Sequence, residues 1–300
     1  MTTKNILITG STGNQGSAVV NALLMLSNSQ VPYHLYTLTR NPSSAPARRL
    51  TAKPNVTVIQ GDSTNPQAIF SQLPPDIHGL FLVTLPNATE KEQAIPLIDI
   101  AIEKGVRHIV FTSADRGGPE RSETDATIIP HFGTKMGIEK SLKEACSRSH
   151  KSTEWTILRP TSFMDNISPS FIGKTLGTML KQMGDTKLSL ISVSDIGKAA
   201  ALAFDQPARY SGRALTLTGD WLTFDEMDLV FKEETGAGLP TTFEVVANGL
   251  QWGISDLNVS MRYFREGGYA YEMDGGLARE LGLKDFRTWL REDSKFPLLI

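Results

Sequence analysis

The chain has 300 residues, of which 40% are hydrophobic and 21% charged, and a formal net charge of −2 at pH 7. These values describe a globular protein with one large domain, or one domain with an appended lobe, and they provide no electrostatic footprint for nucleic acid or an anionic membrane. The single cysteine, Cys146, excludes an intrachain disulfide and a cysteine-based zinc site, and we expect no metal. A first strand predicted within five residues of the start and the lack of a long apolar segment argue against a signal peptide or membrane span. We therefore expect a cytoplasmic protein, with the nucleus as a further location.

The first motif is a glycine-spaced turn at residues 10–16, with an apolar run before it and an amphipathic segment after it. Strand, glycine turn and helix in this order open a dinucleotide-binding unit. We expect Gly10 to permit the tight turn, Gly13 to let backbone N–H groups approach a pyrophosphate, and Gly16 to bring helix and strand close together. The spacing is GxxGxxG rather than GxGxxG, and turns also use glycine for purely conformational reasons. The strand–helix context favours nucleotide binding.

The second predicted strand, residues 33–39, is followed at once by Arg40. At this place in a dinucleotide-binding fold an acidic residue holds a ribose 2′-hydroxyl, whereas an arginine accommodates a 2′-phosphate. Because a guanidinium offers paired donors and a permanent charge, the sequence favours NADP(H) over NAD(H). An arginine that is merely solvated after a strand remains the alternative.

A third strand at residues 56–59 ends before Asp62, which therefore lies at the strand's carboxyl end, where ligands bind in open α/β sheets. Asp62 has two interpretations: it accepts a hydrogen bond from an adenine amine, or it caps the helix that starts near Asn65. The fourth strand, 79–84, leads into a loop at 85–87 that we expect to pass over the ribose and nicotinamide.

A helix predicted at about 88–104 is ended by Gly105 in the manner of a left-handed C-cap. The fifth strand, 107–112, ends at Ser113, and a polar stretch at 117–125 is predicted to be a mobile loop beside the site.

A further helix from about 130 to 147 and a sixth strand at 154–158 follow. Six strands that alternate with helices predict an α/β fold, a Rossmann-type doubly wound parallel sheet with a smaller C-terminal α+β lobe. We place the NADP(H)-binding Rossmann domain at 1–165 and a substrate or partner lobe at 166–300, with about 188–220 packing back on the Rossmann domain.

In the C-terminal part, Ser194 or Asp195 is predicted near a helix N-cap, residues 213–218 form a strand that can join the sheet edge, and Thr223 with Glu226 has the spacing of a capping box. Aromatic residues then accumulate beyond residue 240. They line a substrate pocket or pack a small core, and the second interpretation fits most of them better. These residues are Trp252, Tyr263, Phe264, Tyr269 and Tyr271.

Several segments match one family pattern: GSTGNQG at 10–16, LTRNP at 38–42, QGD at 60–62, HFGTK at 131–135, LRPTSFMDN at 158–166 and SVSDIGK at 192–198, with MRYFREGG at 261–268 and FRTWLRE at 286–292 near the end. Together they span nearly the whole chain. The sequence thereby resembles the NmrA-like family, atypical relatives of the short-chain dehydrogenases, and most closely its NADPH-sensing members.

The resemblance implies a set of cofactor-binding residues. Gly10, Thr12, Gly13, Asn14, Gln15 and Gly16 would hold the pyrophosphate, Arg40 and Asn41 the 2′-phosphate, Asp62 would lie near the adenine, Thr84 near the ribose, Lys135 on the nicotinamide ribose, and Thr161, Ser162 and Phe163 beside the nicotinamide. Ser11, Ser63 and Leu85, their neighbours in the same loops, complete the predicted set.

One departure from ordinary short-chain dehydrogenases bears on activity. Those enzymes use a serine together with a tyrosine and a lysine four residues apart, a spacing that places both on one helix face. Here Ser113 and Lys135 are present, but His131 occupies the tyrosine's place, as in the sensor-type members. His131 can donate a hydrogen bond or relay a proton. Alternatively, it begins the helix and has no chemical role.

Two functions follow. The first is an NADPH-dependent oxidoreductase that reduces a carbonyl, enone or imine of a small apolar molecule, with His131, Lys135 and Ser113 as catalytic residues. The second is a catalytically silent NADPH/NADP redox sensor that regulates a protein partner. The expected partners are a small-molecule substrate or a regulated protein, and the chain is expected to be a monomer or a homodimer.

Overall fold

A seven-stranded sheet forms the centre of the larger part of the chain in the computed structural model, which describes residues 3–27, 32–253, 255–269 and 275–299. The strands of this sheet are β1 (Lys4–Ile8), β2 (Tyr33–Thr39), β3 (Val56–Gln60), β4 (Ile77–Val83), β5 (His108–Thr112), β6 (Glu154–Pro160) and, after two strands of a smaller sheet, β9 (Arg213–Leu217). Their order is β3-β2-β1-β4-β5-β6-β9, and each neighbouring pair from β3 to β6 is parallel. The chain thus has the predicted Rossmann-type sheet, with residues 213–217 as its edge strand.

Helices connect these strands and form most of the remainder. Their bounds are α1 (Asn14–Ser27), α2 (Ala45–Thr51), α3 (Pro66–Phe70), α4 (Glu90–Glu103), α5 (Pro119–Thr124), α6 (Pro130–Arg148), α7 (Phe171–Lys181), α8 (Val193–Asp205), α9 (Pro207–Tyr210), α10 (Phe224–Thr235), α11 (Glu244–Gly253), α12 (Ser255–Arg265), α13 (Gly275–Leu281) and α14 (Phe286–Glu292). No helix in the described ranges is long and apolar enough to cross a membrane.

The chain divides into two compact units. Unit 1 comprises residues 1–114, 134–159 and 196–215, and unit 2 comprises residues 115–133, 160–195 and 216–300. In unit 1, apolar residues of the central strands are buried between the helices because parallel strands are covered on both faces. Leu7, Leu80, Ile109 and Ile157 from four strands meet Leu97 of α4 in one core.

Unit 2 has its own small sheet and its own core. Strands β7 (Ser162–Phe163), β8 (Leu188–Ile191) and β10 (Asp220–Leu222) form the sheet in the order β10-β8-β7. Phe286 and Trp289 of α14 stack with ring centroids 5.5 Å apart within this core. Thr223 and Glu226 form the predicted capping box, since the hydroxyl accepts from the Glu226 N–H and the carboxylate accepts from the Thr223 N–H.

One local prediction was wrong. Residues 117–125 were expected to be a mobile loop, but they contain α5, which Pro119 begins. Ser194 and Asp195 lie in the first turn of α8, close to its N-terminus as predicted, and the Val193 N–H donates to the carboxylate of Asp165 at 2.9 Å.

The C-terminal aromatic residues divide as the core interpretation predicts. Tyr263 and Tyr269 are buried and Phe264 is partly buried, with Phe264 and Tyr269 stacked at 4.9 Å. Trp252 is 88% exposed, and Tyr271 lies outside the described residues. Most of these rings therefore pack unit 2.

Candidate functional site

The glycine turn between β1 and α1 is closed by its own backbone. Gly10 has φ of +56°, a left-handed conformation that favours glycine, and its carbonyl accepts the Gly13 N–H at 2.9 Å. A Cβ on Gly16 would lie 2.3 Å from that same carbonyl oxygen. The turn and the first turn of α1 can approach this closely only because Gly16 lacks a side chain, whereas a Cβ on Gly10 would lie 2.4 Å from Val83 Cγ1.

Side chains in the turn divide into an anchored and an open group. Ser11 is fully buried and its hydroxyl donates to the Leu38 carbonyl at 2.9 Å, so it ties the turn to β2 and its proton is not available to a ligand. Thr12, Gly13 and Asn14 are exposed at the start of α1. A helix N-terminus presents unpaired N–H groups and a positive dipole end, which suits a phosphate. A pyrophosphate therefore fits the open part of this turn.

Gln15 lies on the first turn of α1 and contacts the end of β5. The Thr112 hydroxyl donates to its Oε1 at 2.6 Å. This bond uses one of the two lone pairs of the Gln15 amide oxygen and fixes the side chain, and the NH₂ group provides the donors for a ligand.

The end of β2 carries an exposed pair of residues, Arg40 and Asn41. The Asn41 side chain accepts the Ser43 N–H at 3.0 Å and thereby shapes the loop in which the Arg40 guanidinium is exposed. Asp62 is exposed after β3, and hydrogen bonds from Thr64 lower its pKa, with the nearby Arg40 charge acting in the same direction. Asp62 does not cap α3, because Asn65 performs that role by accepting the Ala68 N–H.

Lys135 lies on α6 and is bound by groups from the loop after β4. Its Nζ lies 2.6 Å from Thr84 Oγ1, 3.1 Å from the Thr84 carbonyl oxygen and 2.9 Å from Glu90 Oε1. The Thr84 hydroxyl in turn donates to the same Glu90 oxygen at 2.6 Å. Burial lowers the pKa of Lys135, and the Glu90 and Glu139 carboxylates oppose that decrease. Lys135 is thus held in a buried ion pair.

Ser113 follows β5 and is bound to a second buried glutamate. Its hydroxyl donates to Glu139 Oε1 at 2.5 Å, and Arg159 of β6 donates to both oxygens of Glu139, at 3.2 Å from Nε and 2.6 Å from Nη2. All three side chains are at most 6% exposed. A hydroxyl that donates to a carboxylate presents its lone pairs, not its proton, to any further group.

The remaining predicted residues lie in several elements. Leu85 is 69% exposed in the loop after β4, and Ser63 is partly exposed in the turn before α3. His131 stands near the start of α6, partly exposed, with its ring 4.8 Å from that of Phe132. Within unit 2, Thr161 is buried and donates to the Leu217 carbonyl, while Ser162 and Phe163 form β7 and pair with β8. The roles of these residues stay predictions.

Glu90 and Glu139 were not among the residues predicted from the sequence. Glu139 lies four residues after Lys135 on α6, so its place on the same helix face was recognisable from spacing. Glu90 gives no comparable signal, because its contact with Lys135 joins the first turn of α4 to α6, 45 positions apart in the chain.

The strand order and the glycine turn define a Rossmann-type α/β protein with a nucleotide-compatible turn. More specifically, the chain belongs to the NmrA-like family, whose model matches residues 2–277. An NmrA-like family domain-containing protein of Dictyostelium discoideum is 26% identical over 304 residues, which cover 96% of this chain and 97% of that protein.

Two solved structures have the same fold. The NADPH-dependent quinone oxidoreductase QOR2 of Escherichia coli, complexed with NADPH, has a TM-score of 0.72 at 21% identity and covers 95% of this chain and 98% of its own. NmrA, a negative transcriptional regulator in complex with NAD, has a TM-score of 0.72 at 17% identity, and the match covers 98% of this chain and 96% of the NmrA chain. One neighbour is an enzyme and the other a regulator, so the fold does not decide between these functions.

Proposed function

We propose that this protein is an NADP(H)-dependent oxidoreductase that reduces a conjugated carbonyl, such as a quinone or enone, or an imine, in a small apolar molecule. The cofactor, when bound, supplies a hydride. The observation that carries the proposal is the engagement of both retained dehydrogenase donors: Ser113 donates to Glu139, and Lys135 has three acceptors for its three protons.

The cofactor preference rests on Arg40. Arg40 is exposed and directly follows β2, and the segment Thr39-Arg40-Asn41 contains no Asp or Glu. We assign Arg40, with Asn41, to a ribose 2′-phosphate, and the open residues of the glycine turn to the pyrophosphate. Asp62 and Ser63, Thr84 and Leu85, Lys135, and Thr161 to Phe163 keep the roles that the family resemblance implies.

The proposed substrate class follows from the protons of Ser113 and Lys135, which already have acceptors within the protein. Reduction of an isolated ketone leaves a localised alkoxide, which needs a donor in the transition state. A quinone or enone spreads the new charge over a conjugated system, and reduction of a protonated imine removes a charge. Such acceptors do not require a free acid from Ser113 or Lys135. His131 remains the candidate donor where one is needed.

The test is oxidation of NADPH, followed by absorbance, with a quinone, an enone, a cyclic imine and an isolated ketone. We expect turnover of the first three and little with the ketone. Ser113→Ala should change turnover less than His131→Phe, since the serine proton already belongs to Glu139. Fastest turnover of the ketone, abolished by Ser113→Ala, would overturn the substrate assignment.

Cofactor choice is tested separately by titrating NADPH and NADH into the wild type and two arginine variants. Arg40→Ala should lose NADPH affinity and leave NADH affinity nearly unchanged. Arg48→Ala, an exposed arginine of α2, is the matched control and should resemble the wild type. Equal affinities of the wild type for NADPH and NADH would contradict the assignment.

The second candidate function is a catalytically silent NADPH/NADP redox sensor in the cytoplasm or nucleus. The replacement of tyrosine by His131 favours it, and a regulator shares the fold. A sensor requires different affinities of its two conformations for the reduced and oxidised cofactor. Failure to turn over any acceptor, with different proteolysis patterns in NADPH and NADP⁺, would support it over the enzyme. Size-exclusion chromatography distinguishes monomer from homodimer in the same samples.

A further inference from the structure

All three N–H groups of the Lys135 ammonium have an acceptor within the described part of the structure. An ammonium has three protons, and Nζ has three protein acceptors at 2.6, 2.9 and 3.1 Å, namely Thr84 Oγ1, Glu90 Oε1 and the Thr84 carbonyl oxygen. A lysine that is to bind a ribose hydroxyl must exchange one of these bonds. A residue that fixes the charge and position of the Lys135 ammonium therefore also determines whether Lys135 can bind a cofactor.

Glu90 is the charged partner in this arrangement. Its side chain is completely buried, at the first turn of α4, where the helix dipole favours a carboxylate. Glu90 Oε1 accepts from both Lys135 and Thr84, whereas Glu90 Oε2 is buried and has no hydrogen-bond partner among the described residues. A buried carboxylate oxygen of this kind has capacity for one more donor.

The charges that face Lys135 come from two elements. Glu90 lies on α4, and Glu139, one helical turn further along α6, adds a weaker attraction but is itself paired with Arg159. Burial alone lowers the pKa of Lys135, so its charge depends on these carboxylates, and mainly on Glu90. If the Glu90 charge is removed, only Glu139 still opposes the lowering of the Lys135 pKa, and its charge is already neutralised by Arg159.

We propose that Glu90 is a positioning residue for the nicotinamide half of the cofactor: it keeps Lys135 protonated and fixed against Thr84. This inference rests on the proposed binding of NADP(H). It extends that function to a residue that acts through Lys135 rather than on the reacting atoms.

The experiment measures two equilibria across pH, in the wild type, Glu90→Gln and Glu92→Gln. NADPH titration reports on the whole cofactor, and adenosine 2′,5′-bisphosphate, which lacks the nicotinamide riboside, reports on the adenine half. Glu92 is exposed in the same turn of α4 and is the matched control. Both measurements are independent of catalytic activity.

In Glu90→Gln the Lys135 pKa falls further, and we expect NADPH binding to weaken by about tenfold for each pH unit above it, since binding then requires uptake of one proton. The wild type and Glu92→Gln should show the same decrease only from a higher pH, because Glu90 opposes the lowering of the Lys135 pKa in both proteins. Affinity for the bisphosphate should be unchanged in all three proteins. The double variant Glu90→Gln/Lys135→Gln, in which no group of the pair remains to titrate, should bind NADPH weakly and without this pH dependence.

An unchanged NADPH affinity and pH profile in Glu90→Gln would overturn the inference while leaving the proposed function intact. Equal weakening of NADPH and bisphosphate binding would also overturn it, because that pattern indicates general damage to unit 1. If Glu90→Gln does not fold, the test falls to Glu90→Gln/Lys135→Gln. NADPH affinity of that double variant that decreases with pH as predicted for Glu90→Gln would then overturn the inference. Failure of the wild type to bind NADPH at any pH is a distinct result that removes the proposed function itself.

Discussion

The described part of unit 1 contains two buried ion pairs near the carboxyl ends of its strands, and they differ in one chemical property. Arg159 donates hydrogen bonds to both oxygens of Glu139, whereas Lys135 pairs with Glu90 through one carboxylate oxygen. A guanidinium cannot lose its proton in a protein, but a buried ammonium can. We infer that the arginine pair holds the structure together, and that the lysine pair is the one whose charge can change.

The first prediction tests the structural role of the Arg159–Glu139 pair by removing the charge opposite Arg159. Glu139→Gln leaves a permanent charge buried without compensation, and we expect the free energy of unfolding to fall by about 3–5 kcal/mol at neutral pH. Urea unfolding followed by circular dichroism measures the loss. Glu139→Gln/Arg159→Met, which removes both charges, should recover most of it. A loss below about 1 kcal/mol in the single variant would contradict a structural role for this pair.

The second prediction concerns a buried titratable group at the opposite ends of the strands. His108, 1% exposed at the start of β5, donates to Thr156 at 2.9 Å, since that hydroxyl itself donates to the Tyr210 carbonyl. Burial lowers the pKa of His108 to about 4, with the His78 charge acting in the same direction.

Because the unfolded chain binds a proton near pH 6.5 and the folded chain only near 4, stability falls as pH decreases through this window. His108 alone accounts for about 3 kcal/mol by the lower end. His108→Gln should flatten this acid limb of stability against pH. An unchanged acid limb would show that other groups cause it. This measurement separates acid effects from the alkaline behaviour expected of Lys135.

The third prediction sharpens the contrast between the two pairs directly. Glu90→Gln should lower the free energy of unfolding by about 1–3 kcal/mol at neutral pH, less than Glu139→Gln, because Lys135 can lose its proton. In this variant the folded-state pKa of Lys135 lies further below that of the unfolded chain than it does in the wild type. The unfolded chain therefore binds more protons between the two values, and stability must rise with pH there. A stability that falls with pH in Glu90→Gln would contradict this account of the pair.

The parts that the sequence predicts well are those that depend on neighbouring residues. The glycine turn, the left-handed Gly105 after α4 and the capping box follow from local conformational preferences, and the structure has each of them. The parallel, doubly wound sheet follows from the alternation of strands and helices.

The contacts of the two glutamates with Thr84, Ser113 and Arg159 were not predicted because they join distant segments. Thr84 follows β4, Ser113 follows β5 and Arg159 lies in β6, so these side chains meet only when parallel strands end at one edge of the sheet. Lys135 was predicted to contact the cofactor ribose, and no sequence pattern indicated that a carboxylate already binds it. Similarly, α5 was missed because a polar stretch after two glycines resembles a loop until Pro119 is placed at a helix start.

The smallest expected effect comes from a pair that the sequence does reveal, the capping box of α10 in unit 2. Thr223→Ala removes the acceptor of the Glu226 N–H and should lower the free energy of unfolding of the protein by about 1 kcal/mol. Thr223→Ser keeps the hydroxyl and is the matched control. The Glu226 pKa is already below its ordinary value, so the loss should be constant from neutral to alkaline pH, unlike that of Glu90→Gln. A loss that changes with pH in this range would mean that alkaline pH dependence is not specific to the buried lysine pair.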